Sequence, residues 1–182
     1  GNLKIWENDS LILESNIGIE LRGAVSQMMY EKKSYGFELR SDSKKSQKAS
    51  LLGLPANSDW VLHGPYGDKT LLRNAVAYKI SNEIGRYAAR TKFVEVEIND
   101  DYLGMYVLME KLKRDESRIN IAKLTQKDST DDKITGGYII KIDKTVGDGN
   151  GDRDYNENIS FRSKIDQNGR VSRKSKTFFV YD

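Results

Sequence analysis

The sequence predicts an α+β fold in which a mainly antiparallel sheet packs with one main helix. Three observations support this prediction. Residues 69–84 repeat apolar side chains at every fourth position, which places them on one face of a helix. Residues 93–98 alternate apolar and charged side chains, which is the period of a half-exposed strand. An Asn-Asp-Asp turn then separates this strand from a second apolar run at 103–112, as in a hairpin.

The main helix, predicted at about residues 69–84, has signals for both of its ends. Asp68 is placed to cap its N-terminus, and Gly85 is placed to stop it. Its apolar stripe is expected to pack on a sheet that contains the strand at 33–39 and the hairpin at 93–112. The stripe consists of Leu72, Val76, Ile80 and Ile84.

Shorter segments extend the predicted sheet. The segment at 24–31 has no clear period, and we interpret it as a loop or one helical turn. The strand before it ends at Arg22 and Gly23. Alternating or apolar runs predict further strands at 3–6, 11–14, 17–21, 138–142, 159–161 and 178–181.

Composition excludes several classes of protein. The chain has 182 residues with 30 basic and 27 acidic side chains, a net charge of +3, and a nucleic-acid binder usually shows a stronger, clustered basic excess. We therefore expect no nucleic-acid partner. The absence of cysteine excludes disulfides, thiolate catalysis and cysteine-ligated zinc. No apolar run approaches the length of about 18 residues that a membrane span needs.

An acidic, glycine-rich segment at 146–154 is the one pattern that suggests a metal. Its Asp and Asn residues fit alternate positions of an EF-hand loop. However, Arg153 stands where that loop needs Gly, and Ile159 stands where it needs a bidentate Glu. We interpret the segment as a flexible loop and assign no metal ligand. His63 is the only histidine, so it has no imidazole partner for a metal site.

The order of the elements is that of the small lobe of a protein kinase, which holds the phosphates and the adenine of ATP. A strand with a lysine is followed by a helix and by two strands that end near a Glu. Lys33 is the preferred phosphate-binding lysine, and Lys32 is the alternative. Glu83, on the helix, is placed to orient Lys33, although an exposed helix Glu is an equal alternative.

Two arginines and a hinge-like segment complete the predicted nucleotide site. Arg22 closes a strand before the connection that would cover the phosphates. Arg73 begins the helix, where its guanidinium group would bind phosphate or form a structural salt bridge. Met109, Glu110 and Lys111 are placed like a hinge, in which backbone groups bind adenine and Met109 supplies an apolar contact, although an ordinary strand end is an equal alternative.

Residues 17–143 resemble the CotH (spore coat protein H) kinase family. The resemblance rests on motifs such as Leu21-Arg22-Gly23, Lys32-Lys33-Ser34-Tyr35, Leu52-Gly53-Leu54-Pro55, Asp59-Trp60-Val61-Leu62 and Asp68-Lys69-Thr70-Leu71-Leu72-Arg73-Asn74. It implies an atypical protein kinase of bacterial, exported or cell-surface location. Such a kinase uses ATP and Mg²⁺ or Mn²⁺ to phosphorylate Ser or Thr on a Ser-rich secreted or coat protein.

One departure from the family bears on catalysis. The family's proton-accepting and metal-binding Asp residues lie in an Asn-rich loop and a Trp-Asp-Phe-Asp-like run, and nothing after Asp143 matches either. We therefore predict a kinase-like N-lobe at 1–125, with 126–182 leading to a C-lobe beyond Asp182 that carries the catalytic groups. The chain alone is then expected to be inactive. The alternative is a non-catalytic extracellular binding, adhesion or surface structural module.

Overall fold

The computed structural model describes residues 1–123, 125, 130, 160–162 and 178–180. The chain divides into two units, Gly1–Lys123 and Leu124–Asp182. The first unit contains strands β1 (Asn2–Glu7), β2 (Ser10–Arg22), β3 (Ser34–Arg40), β4 (Ala49–Leu51), β5 (Leu54–Asn57), β6 (Asp59–His63), β7 (Thr91–Ile98) and β8 (Asp101–Glu110). Its helices are α1 (Val25–Met29) and α2 (Arg73–Glu83). In the second unit, β9 (Ser160–Arg162) pairs antiparallel with β10 (Phe178–Val180).

Six strands of the first unit form one antiparallel sheet in the order β1-β2-β3-β6-β8-β7, and β4 pairs with β5 in a separate hairpin. The predicted, mainly antiparallel architecture is therefore confirmed. Positive φ angles at Asn99 (53°) and Asp100 (65°) close the predicted hairpin between β7 and β8. The prediction of separate strands at 11–14 and 17–21 is wrong, because β2 runs unbroken through both segments.

The sheet buries apolar side chains on both faces. On one face, side chains of β3, β6 and β8 pack with Leu51 and Leu54 of the β4–β5 hairpin, and Trp60 at the centre is completely buried. On the other face, a smaller cluster joins Val61, Val107, Met109 and Ala89, and Tyr78 of α2 packs against it. The connections between these strands therefore extend from a sheet that is packed on both faces.

The main helix packs on the sheet by a different face from the predicted one. Ala75 is its buried residue, and Tyr78 contacts the sheet cluster. Asn82, on the same face, accepts the Ala88 N–H at 3.0 Å and donates to the Ala88 carbonyl at 3.0 Å. The predicted stripe is 47–70% exposed, so its expected packing is wrong for Leu72, Val76, Ile80 and Ile84.

Gly85 ends this helix as predicted, but Asp68 is not its N-cap, because the helix starts later than residue 69 and Leu72 holds the N-cap position. Leu71 has a φ of 60°, which is outside the helical region, and α2 begins at Arg73. Asp68 nevertheless accepts the Arg73 N–H at 2.9 Å and the Thr70 N–H at 3.0 Å. Gly85 has a φ of 77°, which stops the helix as expected.

Two predictions concern residues outside the described ranges. These are the strand at 138–142 and the acidic loop at 146–154. Within the described ranges, the helices are too short and too polar to cross a bilayer.

Candidate functional site

A cavity of about 390 Å³ lies where the β2–β3 connection meets the β6–α2 connection. Three of its lining side chains are basic or titrate near neutral pH: Arg22 at the end of β2, Lys32 before β3 and His63 at the end of β6. The hydroxyl groups of Ser26 and Ser34 and the rings of Tyr30 and Tyr66 also line it. Asp68 also lines it, and its carboxylate already accepts hydrogen bonds from the Thr70 hydroxyl and the Arg73 N–H. Arg22 and Lys32, together with the hydroxyl and aromatic side chains, suit the cavity to an anion beside an aromatic ring.

Lys32 is held in place on the cavity wall. Its Nζ donates to the Leu103 carbonyl at 2.7 Å and lies 4.3 Å from the centroid of the Tyr106 ring. Burial lowers the pKa of Lys32 from its ordinary value. An ammonium group has three N–H donors, so donors remain for an anion after the bond to Leu103.

Lys33, next to Lys32 in the sequence, makes structural hydrogen bonds within its own loop. Its Nζ donates to the carbonyls of Gln27 and Tyr30, both at 2.7 Å, and it does not line the cavity. These two bonds tie the end of α1 back to the start of β3. The structure thus places Lys32, the sequence alternative, at the cavity and places Lys33 behind the loop that forms its wall.

The Gly-Pro-Tyr-Gly segment after β6 lets the two connections approach closely. A Cβ atom on Gly64 would lie 2.9 Å from the Lys33 carbonyl oxygen and 3.0 Å from Lys32 Cγ. The Gly64 N–H donates to Ser34 Oγ at 3.0 Å. A Cβ atom on Gly67 would lie 3.0 Å from the Tyr30 hydroxyl oxygen. Sequence reasoning missed this segment, although two glycines directly after a strand are a signal for close backbone approach.

Electrostatics at the cavity favour an anion. Burial lowers the pKa of His63 below its ordinary value of 6.5, and the positive charge of Arg22 lowers it further, whereas Asp68 opposes the shift. His63 is therefore mainly neutral at pH 7, and Arg22 and Lys32 carry the positive charge. An anion between them would favour protonation of His63.

Arg73 and Glu83 do not reach this cavity. The Arg73 side chain is 77% exposed, and its Nε lies 3.4 Å from Asp68 Oδ1, which is the salt bridge considered as an alternative. Glu83 pairs with Lys79 at 3.8 Å on the exposed side of α2. Within the part of the chain that the structure describes, Glu83 forms no ion pair with Lys33.

The residues of the predicted hinge are occupied with structural contacts. Met109 is buried in the cluster under α2. Glu110 is 1% exposed, accepts from Arg90 Nε at 2.9 Å and Nη2 at 2.7 Å, and also accepts from the Tyr87 hydroxyl at 3.1 Å. Burial, together with the Glu110 charge, raises the pKa of Tyr87 well above its usual range. Arg118, fully buried, lies 3.7 Å from the same carboxylate.

The backbone at the predicted hinge is also engaged. The Glu110 N–H donates to the Arg90 carbonyl at 3.2 Å, and the Lys111 carbonyl accepts from Arg118 Nη1 at 2.6 Å.

A second cavity of about 430 Å³ lies beside Lys111. Its lining is charged and includes Glu20, Glu38, Arg40 and Asp59.

The divalent metal implied by the resemblance has no evident place in the described ranges. No group of three His, Cys, Asp or Glu side chains there is close enough together to hold a metal ion. The described residues therefore do not fit Mg²⁺ or Mn²⁺, and we derive no chemical step through a metal.

Comparison with known proteins gives one family match, and it includes the segments that form the cavity. A family profile described as CotH kinase protein matches residues 19–177. The match includes both connections that form the cavity, and it covers most of the chain. No curated protein matches this chain. Since the profile spans far more than half of the sequence, the chain belongs to the CotH kinase family.

Proposed function

We propose that this chain binds the triphosphate of ATP in the cavity between the β2–β3 and β6–α2 connections, as the nucleotide-binding part of a CotH-like protein kinase. The parent kinase would transfer the γ-phosphate to a Ser or Thr hydroxyl of a protein substrate. The observation that carries this proposal is the presence of Arg22 and Lys32 on the wall of one cavity. The membership of the chain in the CotH kinase family is the reason for proposing a kinase.

The order of elements supports a kinase-like small lobe. Strands β2, β3 and β6 precede α2, and the β7–β8 hairpin follows it, with β8 placed beside β6. In protein kinases a phosphate-covering connection joins the first two strands, and a helix follows the lysine-bearing third strand. The β2–β3 connection, which ends in Lys32 and Lys33, would correspond to the connection that covers the phosphates in protein kinases.

The position of the lysine departs from that pattern. The strand directly before α2 is β6, and its sequence, Asp-Trp-Val-Leu-His, contains no lysine. We assign the phosphate contacts to Lys32, which reaches the cavity from the neighbouring connection, and to Arg22, whose fork of N–H groups matches phosphate oxygens. Lys33 has a supporting role, because it ties the covering connection together.

The experiment is a calorimetric titration of the purified chain with ATP in the presence of Mg²⁺. A charge-assisted hydrogen bond contributes about 1.5–3 kcal/mol, so Lys32→Met and Arg22→Met should each weaken ATP binding about tenfold or more. Lys79→Met is the matched control, because Lys79 is 77% exposed on α2, and it should leave the affinity unchanged. Unchanged affinity in both cavity variants would refute the proposed site.

The second candidate is a non-catalytic binding, adhesion or structural module at a cell or spore surface. The exposed apolar stripe of α2, which consists of Leu72, Val76, Ile80 and Ile84, favours it, because contiguous exposed apolar groups mark interaction sites. Such a module has no reason to bind a triphosphate. The same titration separates the two candidates, since a module would release no heat with ATP.

A further inference from the structure

We infer that the nucleobase of the bound triphosphate stacks on Tyr66 beside the cavity, instead of bonding to the backbone at the end of β8, and that the site accepts ATP and GTP alike. This inference rests on the proposed function. The base-recognition surface is then the Tyr66 ring, and the ligand is a nucleoside triphosphate that is bound without selection between adenine and guanine.

The backbone at the end of β8 is poorly available to a base. The Glu110 N–H is bonded to the Arg90 carbonyl, and the Lys111 carbonyl is bonded to Arg118 Nη1. Arg118 is 4% exposed, so it cannot turn to solvent when it is displaced. A base at this edge would leave a buried guanidinium donor without its acceptor, which is strongly unfavourable.

The surface beside that edge is also unsuitable for a flat aromatic ring. The cavity next to Lys111 is lined by the carboxyl groups of Glu20, Glu38 and Asp59. The Arg40 guanidinium lies across the β2 backbone, so that a Cβ atom on Gly18 would be 2.8 Å from its Cζ. Pockets that bury aromatic ligands are mainly apolar, and charged groups here would lose hydration against a base.

The phosphate cavity, in contrast, carries its own aromatic surface. The rings of Tyr30 and Tyr66 belong to its lining, with centroids 5.4 Å apart and planes tilted by 34°. Tyr66 is 49% exposed, which leaves part of its ring free to accept a further ring. A triphosphate held by Arg22 and Lys32 therefore has an aromatic platform within the same cavity.

Stacking on a platform of this kind does not distinguish bases, because every base has a π face. A hinge that reads the base by hydrogen bonds would distinguish adenine from guanine, whose donors and acceptors differ. Stacking contributes about 1–3 kcal/mol per base, which corresponds to an affinity gain of about 5- to 150-fold over inorganic triphosphate.

The test compares inorganic triphosphate, ATP and GTP by calorimetry on the purified chain with Mg²⁺. We expect ATP and GTP to bind within about threefold of each other, and both to bind about fivefold or more tightly than triphosphate. Tyr66→Leu should remove this advantage and leave triphosphate binding intact, whereas Tyr66→Phe should keep it. Tyr102→Leu is the matched control, because Tyr102 is 61% exposed on the β7–β8 hairpin.

Different failures have different meanings. If ATP binds about tenfold tighter than GTP in both the wild type and Tyr66→Leu, the base is read elsewhere and the inference is wrong. If triphosphate binds as tightly as ATP, the inference is also wrong, but the phosphate site stands. If neither triphosphate nor ATP binds, the proposed function fails, and this inference fails with it.

Discussion

The Lys32 ammonium group lies 4.3 Å from the centre of the Tyr106 ring, which is 1% exposed in the core of β8. Burial raises the pKa of the Tyr106 hydroxyl to about 12, so the ring stays neutral at physiological pH. This contact connects a side chain of the candidate site directly to the central sheet. Sites that rest on rigid elements hold their geometry better than sites on loops alone.

The close approach at Gly64 gives the first prediction. Gly64→Ala should destabilise the fold by about 1–3 kcal/mol and weaken ATP binding, because the added methyl group displaces Lys32 or the backbone of Lys33. Gly36→Ala is the control, since a Cβ there would meet its nearest atom, Glu20 Oε1, at an ordinary 3.5 Å. Urea unfolding measures the stability, and calorimetry measures the affinity. Equal effects of the two variants would contradict the prediction.

The single histidine makes the charge of the cavity measurable by NMR. We expect the pKa of His63 to lie below 6.5, because burial and then the Arg22 charge disfavour the imidazolium form. Arg22→Met should raise this pKa, and so should added inorganic triphosphate. The proton signals of the imidazole ring, followed through a pH titration, report the value. A pKa above 6.5 in the free protein would contradict this description of the cavity.

The same shift predicts how stability depends on pH. A histidine whose folded-state pKa is lowered binds its proton more readily in the unfolded chain. Its contribution to stability is therefore complete above pH 6.5 and is lost as the pH falls through 6.5 towards the folded-state value. His63→Asn should remove this part of the pH dependence. Urea unfolding of both proteins over this range is the measurement, and identical pH profiles would exclude the effect.

Neutralising Glu110 and neutralising Glu83, the two carboxylates of the predicted site, should change the stability of the fold by different amounts. Glu110→Gln should cost about 3 kcal/mol, at the lower end for a buried pair because the side chain of its partner Arg90 is 37% exposed. Glu83→Gln should change the free energy of unfolding by less than about 0.5 kcal/mol, because Glu83 and Lys79 are exposed to solvent. Urea denaturation compares them. A larger loss from Glu83→Gln would indicate a partner that the contacts do not show.

The orientation of α2 gives the fifth prediction. Ile80→Ser should change the free energy of unfolding by less than about 0.5 kcal/mol, because Ile80 is 53% exposed. Ala75→Leu should cost about 1–3 kcal/mol, because Ala75 is the residue of the helix that is buried against its surroundings. Thermal or urea unfolding tests both. The reverse order would mean that the helix packs by the aliphatic stripe after all.

Local signals were sufficient for the β7–β8 hairpin and for the end of α2, but not for the unbroken length of β2. The alternation in β7 and the Asn99–Asp100 turn predicted the hairpin, because the period of two and the tolerance of positive φ are properties of neighbouring residues. Gly85 predicted the end of α2 for the same reason. Family membership was likewise visible in the order of short motifs, and it is confirmed by the match to residues 19–177.

The face by which α2 packs was decided only in three dimensions. The sequence shows the more aliphatic face, which suggested burial of Val76 and Ile80. The face that packs contains Ala75, Tyr78 and Asn82, and the hydrogen bonds of Asn82 to Ala88 hold it there. A polar residue that is satisfied by the backbone of the connection after its helix has no signature in apolar periodicity.

The roles of the two adjacent lysines were decided in the same way. The sequence determines that two ammonium groups precede β3, and it predicts that one of them serves an anion. Lys32 lines the cavity, and its ammonium group is fixed by the Leu103 carbonyl, 71 residues further along the chain, and by the Tyr106 ring. Lys33 turns to the carbonyls of Gln27 and Tyr30 in its own loop. Neighbouring residues at the start of a strand point in opposite directions, and only the packing of β8 beside β6 determines which direction leads to the cavity.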